Sequence, residues 1–281
     1  MPELPEVETI VRGLNKVVIG TRIIDIWTDW PRHFSRHCGG FEQFKKQVKG
    51  LRIKKIKRIG KNIIFELSSD RNILLHLKMT GRLLLVETIN LSKSDFDNID
   101  HYIHTVFCLS EGKSLAFSDV RKFGKILSEH KDDFYEISDI KKLGKDALTI
   151  NYEEFKKVLS NKKIPIKYIL LNQKVIAGIG NIYADEILFL SGVHPLRMVK
   201  SLSEKELKKI YDSIRIILIK AIKLRGSSMS DYKDIKGKLG NYFQVRLIYR
   251  RGGESCLKCK TKISRIKLRG RSMHFCKNCQ K

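Results

Sequence analysis

Four cysteines near the end of the chain have the spacing of a metal centre. Cys256, Cys259, Cys276 and Cys279 read C-x2-C-x16-C-x2-C. Each C-x2-C turn can aim two thiolates at one tetrahedral ion, and the spacer is long enough for a short hairpin that brings the turns together. The pattern predicts one structural Zn2+. Two disulfides are the other use of the same sulfurs, and they need an oxidising compartment. The first residues, MPELPEVETI, are acidic where an export signal carries basic ones, so the chain reads as unexported and thiol-keeping.

A second chemistry stands at the opposite end. Removal of Met1, expected before a residue as small as proline, exposes the secondary amine of Pro2. An α-amine titrates at about 7.7–8.0, so part of it is a free nucleophile at neutral pH, unlike a lysine at about 10.4. Its bond to an electrophilic carbon leaves an iminium, cationic without further protonation and therefore an electron sink. Glu3 beside it is a carboxyl that can pass protons. The plainer reading is that Pro2 and Glu3 merely precede a helix whose positive end favours an acid.

Both chemistries sit on a strongly basic chain. In 281 residues, 56 Lys and Arg against 30 Asp and Glu give +26, and 42% apolar residues provide for a packed core, which excludes a disordered or acidic-tail protein. Charge of this size repels itself unless it meets a polyanion, so a phosphate-rich partner is expected. Cellular bias toward Lys and Ile, visible in Leu51-Arg52-Ile53-Lys54-Lys55-Ile56-Lys57-Arg58, is the competing explanation. Residues 250–281 alone hold eleven Lys or Arg against Glu254. A structural zinc ribbon has no need of that charge, whereas a finger pressed on phosphates uses it. No run of 18 uncharged apolar residues occurs, so no membrane partner is expected.

The elements that must position these groups change period along the chain. Val7, Ile10, Val11 and Leu14 make one helical face between Pro5 and about Val17. From about Thr21 to Glu129, short apolar runs between turn signals predict seven or eight strands. Helical spacing follows, most clearly after the capping box Ser203-Glu204-Lys205-Glu206, with Leu207, Ile210, Tyr211, Ile214, Leu218 and Ala221 on one face. A glycine-spaced polar loop, 226–240, leads to the cysteines. The expected architecture is α+β and multidomain: a β-rich N-terminal domain over 1–130, a helical domain over 131–249 that includes the loop, and a finger over 250–281.

Longer strings make the reading specific. Met1-Pro2-Glu3-Leu4-Pro5-Glu6-Val7-Glu8-Thr9, Lys57-Arg58-Ile59-Gly60-Lys61, His76-Leu77-Lys78-Met79-Thr80-Gly81, Asp119-Val120-Arg121-Lys122-Phe123-Gly124, Gly178-Ile179-Gly180-Asn181-Ile182-Tyr183-Ala184-Asp185-Glu186 and the four-cysteine tail occur in that order. Together they resemble the formamidopyrimidine-DNA glycosylases over the whole length. Leu4 separates the chain from the sister endonuclease VIII type, which usually has Gly there. The resemblance implies an N-terminal β-sandwich headed by a helix, a helical domain with a helix-two-turn-helix, and a C-terminal zinc-finger hairpin.

It also implies roles. Pro2 is the Schiff-base nucleophile and Glu3 the proton shuttle. Lys61 contacts phosphate and serves β-elimination, and Arg271 serves δ-elimination. Met79, Arg121 and Phe123 fill the stack after a base is extruded. Asn181, behind the glycines of its turn, would hold a phosphate, although the string alone serves equally as a helix N-cap. Lys162, Lys167, Tyr249 and, from a departed histidine pattern, His104 complete the DNA contacts. The loop over 226–240 closes on the extruded base. Departures from the family pattern are Tyr102 and His101 in that histidine pattern, Ser227-Ser228 for paired threonines, Tyr249 to Ser255 without the usual proline, and Ser272-Met273 after Arg271.

The expected protein is a monomeric bacterial enzyme of the cytoplasm, meeting the nucleoid through damaged double-stranded DNA. It would excise oxidised purines such as 8-oxoguanine and formamidopyrimidines and cut the abasic strand by β,δ-elimination. Excision of oxidised pyrimidines, and a non-catalytic zinc-ribbon DNA binder with a blocked Pro2, are the rivals.

Overall fold

The structure is a computed structural model that describes residues 1–34, 39–87, 96, 98–160, 162–229 and 231–281. Cys38 lies outside the described residues. The chain divides into two compact units, Met1–Lys141 with Leu224–Asn241, and Lys142–Lys223 with Tyr242–Lys281.

The first unit opens with helix α1 (Leu4–Asn15), whose buried face is Leu4, Val7, Ile10, Val11 and Leu14. Strand β1 (Ile23–Thr28) and helix α2 (Gly40–Val48) follow, then β2 (Ile53–Ile59), β3 (Asn62–Leu67), β4 (Arg71–His76), β5 (Gly81–Glu87), β6 (Ile103–Leu109), β7 (Lys113–Asp119) and β8 (Lys125–His130). These eight strands form two four-stranded sheets, ordered β1-β6-β7-β5 and β2-β3-β4-β8. Ile23, Phe65, Leu75, Phe107, Leu115 and Phe117 belong to the buried cluster that fills the sandwich. Two one-turn helices, α3 (Lys131–Phe134) and α4 (Ser138–Lys141), close the segment.

The Lys/Ile run is a true strand. Ile53 and Ile56 are three apart, an offset that strict alternation would put on opposite faces. A register shift between Ile53 and Lys55 inserts the extra residue, so both isoleucines are buried while Lys54 and Lys55 stay outside.

The loop expected in the helical domain folds instead with the first unit. Ile235 and Tyr232 join the same buried cluster as α1 and the sheets, and the Ile235 carbonyl accepts from the Leu85 N–H at 2.9 Å. One isolated isoleucine in a polar segment gives no periodic signal, which is why its docking was not legible.

The second unit holds β9 (Lys145–Asp146), α5 (Tyr152–Leu159), α6 (Ile166–Leu171), β10 (Ile176–Ala177), α7 (Asn181–Ser191), α8 (Glu204–Lys223), and the hairpin β11 (Ser264–Leu268) to β12 (Arg271–Phe275). Strands β9 and β10 pair in parallel. The expected capping box is present: Ser203 N–H donates to Glu206 Oε2 at 2.8 Å and Glu206 N–H to Ser203 Oγ at 3.3 Å. The finger is not a separate body. Cys256 and Cys276 pack with Phe189, Ile248 and Ile263 in one buried cluster, so residues 250–281 share a core with the helices.

Candidate active site and nucleic-acid interface

The N-terminus of α1 is built into the sandwich. Glu3 N–H donates to Glu6 Oε2 at 2.8 Å, and the other Glu6 oxygen accepts from Ser227 N–H at 2.7 Å. One buried carboxylate thus ties the first turn of α1 to the 226–240 loop. Gly226 stands at φ +78°, and a Cβ there would lie 2.6 Å from Glu6 Oε1. Farther along, Asn15 Nδ2 donates to the Ile56 carbonyl at 2.8 Å, and Arg58 Nε donates to Glu8 Oε2 at 2.9 Å. Both bonds fix α1 on β2.

That fixes α1 against the turn carrying Lys61. Ile59 pairs with Asn62, leaving Gly60-Lys61 as a two-residue hairpin turn, with Gly60 at φ +59°. Lys61 is 6% exposed rather than a solvated charge. The Met1 amino group is held below its ordinary value chiefly by burial, against the pull of Glu3 and Glu6, with the Lys61 charge adding to the effect. An amine exposed at Pro2 would meet the same groups. His76, which opens the string running to Gly81 but has no role implied there, also feels Lys61: burial, then Lys78 and Lys61, push it down to about 3. Its Nδ1 accepts from Lys78 N–H at 2.9 Å, so the ring is neutral with its other nitrogen protonated.

Met79 lies in the β4–β5 turn and Arg121 and Phe123 in the β7–β8 turn. Met79 and Phe123 are 43% and 53% exposed, and the Arg121 guanidinium sits 4.6 Å from the Phe123 ring centroid. Large apolar side chains left in water on adjoining turns are not part of the core. His104 does not join them. It is buried in β6, with Nδ1 2.8 Å from Asp29 Oδ1, while His101 and Tyr102 are exposed.

In the second unit, Gly180 rather than Asn181 is the N-cap of α7. Asn181 Nδ2 donates to the Ser272 carbonyl at 3.1 Å, and Lys167 Nζ donates to the same carbonyl at 3.0 Å. Lys167, expected on the DNA, is fully buried and ion-paired with Asp185, which also accepts from His274 N–H at 3.1 Å and lies 2.9 Å from its Nδ1. Neighbouring Glu186 accepts from Tyr242 Oη, Leu247 N–H, Ile248 N–H and Tyr249 N–H at 2.7–2.9 Å. These two carboxylates, adjacent in sequence, hold the hairpin strand and the approach to the finger. Tyr249 is largely buried, its ring 5.2 Å from that of His274. Lys162 and Arg271 are exposed, Arg271 at the first position of β12.

The four cysteines fit one structural zinc ion. Their Sγ atoms all lie within 4.8 Å of one another, with Cys259 and Cys276 3.4 Å apart and Cys256 and Cys279 3.9 Å apart. Four sulfurs so close, from two turns, are a tetrahedral donor set in place. Among the described residues no helix is long and apolar enough to cross a membrane.

A helix-headed β-sandwich, a helical unit and a four-cysteine hairpin define a class of zinc-finger proteins. Profiles of the formamidopyrimidine-DNA glycosylase N-terminal domain, the formamidopyrimidine-DNA glycosylase H2TH domain, and the zinc finger found in these enzymes and isoleucyl-tRNA synthetases match residues 1–126, 143–233 and 253–281. Formamidopyrimidine-DNA glycosylases of Desulfitobacterium hafniense and Solibacter usitatus are 36% and 39% identical, with both chains covered in full. A Lactococcus lactis variant, solved with DNA containing Fapy-dG, superposes with a TM-score of 0.90 at 36% identity and full coverage of both chains. The same organism's protein bound to abasic-site DNA gives 0.89, with 99% of each chain covered. The chain belongs to the formamidopyrimidine-DNA glycosylase family.

Proposed function

We propose that this DNA glycosylase removes oxidised purines, 8-oxoguanine and formamidopyrimidines, from duplex DNA and then cuts the abasic strand. The observation that carries the reading is the burial of Lys61 beside the start of α1, where Pro2, Glu3 and Glu6 converge. With Met1 removed, the Pro2 nitrogen attacks C1′ of the extruded nucleotide. The C1′–N bond breaks, the base leaves with a proton, and Glu3 protonates the ring oxygen as the sugar opens to the iminium. Loss of the acidified C2′ proton expels the 3′ phosphate, and a second elimination expels the 5′ phosphate. Water then releases the amine. Lys61 serves the first departure and Arg271 the second, each as a cation for a leaving phosphate.

Arg121, Phe123 and Met79 fill the vacated stack, and Lys162, Asn181 and Arg271 contact the backbone. Lys167, fully buried and ion-paired, acts on the DNA only through the finger strand that it holds, while His104 and Tyr249 remain proposed contacts to the backbone. The excess positive charge, heaviest in the finger, provides the sequence-independent part of binding. Borohydride reduction during reaction with duplex containing 8-oxoguanine gives a covalent protein–DNA adduct, and Pro2→Gly loses most of it. Absence of an adduct from zinc-loaded, Met1-processed protein would overturn this reading, and preferential adduct formation on an oxidised pyrimidine would overturn the purine assignment.

A further inference from the structure

Two turns from different strand pairs carry the stack-filling residues, and both end on one buried carboxylate. Thr80, next to Met79, donates its hydroxyl to Asp119 Oδ1 at 2.5 Å and accepts the Arg121 N–H at 3.0 Å. The other Asp119 oxygen accepts from Gly124 N–H, just past Phe123, at 2.6 Å. Asp119 has no exposed surface.

The backbone around this link is shaped to permit it. A Cβ on Gly124 would lie 2.3 Å from the Phe117 ring, and one on Gly81 would lie 2.3 Å from the Leu77 carbonyl oxygen. Both turns can therefore press on the same end of β7 only because these positions lack side chains. Solvent-facing Met79 and Phe123 contrast with this fully buried support. The chain has ordered the base of a wedge whose tip stays in water.

We propose that Asp119, acting through Thr80, is a positioning residue that joins the Met79 turn and the Arg121–Phe123 turn into one rigid wedge, so that both enter the base stack in a single registered step. The inference rests on the stack-filling roles given above. A loosened wedge impairs extrusion of a stacked base. It has little effect at an abasic site, where no base has to be unstacked.

The test uses full-length, zinc-loaded, Met1-processed protein. Replacement of Asp119 can unfold the sheet, so Thr80→Val, which keeps the shape and removes the hydroxyl, decides the matter, with Thr80→Ser as rescue. Single-turnover excision of 8-oxoguanine from duplex is expected to fall by at least about tenfold in Thr80→Val, a misplacement-sized effect. The fluorescence rise of 2-aminopurine opposite the lesion slows in parallel. Borohydride trapping at a preformed abasic site in the same duplex changes by less than about twofold, and Thr80→Ser restores excision. Wild-type excision by Thr80→Val overturns the inference, as does an equal fall in excision and trapping. A wild-type chain that neither excises nor cross-links overturns the functional reading itself, and is told apart because it needs no variant to be seen.

Discussion

Lys167 and Asp185 form an ion pair whose two side chains are entirely shielded from solvent, and the same ammonium reaches the Ser272 carbonyl at 3.0 Å. Removing one partner of such a pair strands a buried charge and costs about 3–5 kcal/mol, whereas an apolar pair of similar volume is close to neutral. Asp185→Ala and Lys167→Ala are each expected to lower the urea midpoint accordingly, and the double change Lys167→Met with Asp185→Leu to recover only part of the loss, because the His274 N–H is left without its acceptor. Single variants with wild-type midpoints would contradict a structural role for the pair.

Gly226 permits the approach of the 226–240 loop to Glu6. Alanine there is disfavoured by the left-handed backbone and by the 2.6 Å approach to Glu6 Oε1. A strain of this kind costs about 1–3 kcal/mol. Gly226→Ala is expected to lower the thermal midpoint and to speed hydrogen exchange at the Ser227 amide, whose acceptor is that carboxylate. Unaltered protection at Ser227 would speak against the Glu6 link.

His33 makes stability depend on pH. Burial pushes its pKa from 6.5 down to about 4, with His104 and Lys122 acting the same way and Asp119 and Asp29 opposing. The unfolded chain binds the proton below its ordinary pKa while the folded chain does not, so stability is full above pH 6.5 and is lost as pH falls toward 4. The loss attributable to this residue is at most about 3 kcal/mol. His33→Gln is expected to reduce the pH slope of the urea midpoint over that interval without abolishing it, since His76 is held lower still, and an unchanged slope would assign the dependence elsewhere.

Zinc is expected to hold the finger. Cys276 is fully buried in the cluster shared with Phe189 and Ile248, so Cys276→Ala removes a ligand and opens that core. The variant should release zinc to a colorimetric chelator and bind duplex DNA at least about tenfold more weakly, a change of about 1.4 kcal/mol. Retained affinity without zinc would show that the hairpin's charge, and not its fold, makes the contact.

What the chain displayed in one dimension was its local chemistry. The cysteine spacing, the Ser203–Glu206 box and the period of α1 are short-range patterns, and each has its counterpart in space. The acceptors that assemble the site were not legible. Glu6, Asp119, Asp185 and Glu186 look like ordinary surface acids in a string, because carboxylates are seldom buried unless partnered. Their partners lie far off: Ser227 is 221 residues from Glu6, and Tyr249 63 from Glu186. Lys167 shows the converse case. The resemblance implied contact with phosphate, but facing is set by packing, and Lys167 shares the buried side of α6 with Ile166, Ile169 and Leu170.

The latch on the finger strand is a carbonyl oxygen, Ser272 O, gripped by Asn181 and Lys167. Every amino acid presents that atom, so this grip does not depend on which side chain stands at 272. A designer wishing to re-aim Arg271 would have to edit residues some ninety and one hundred positions away.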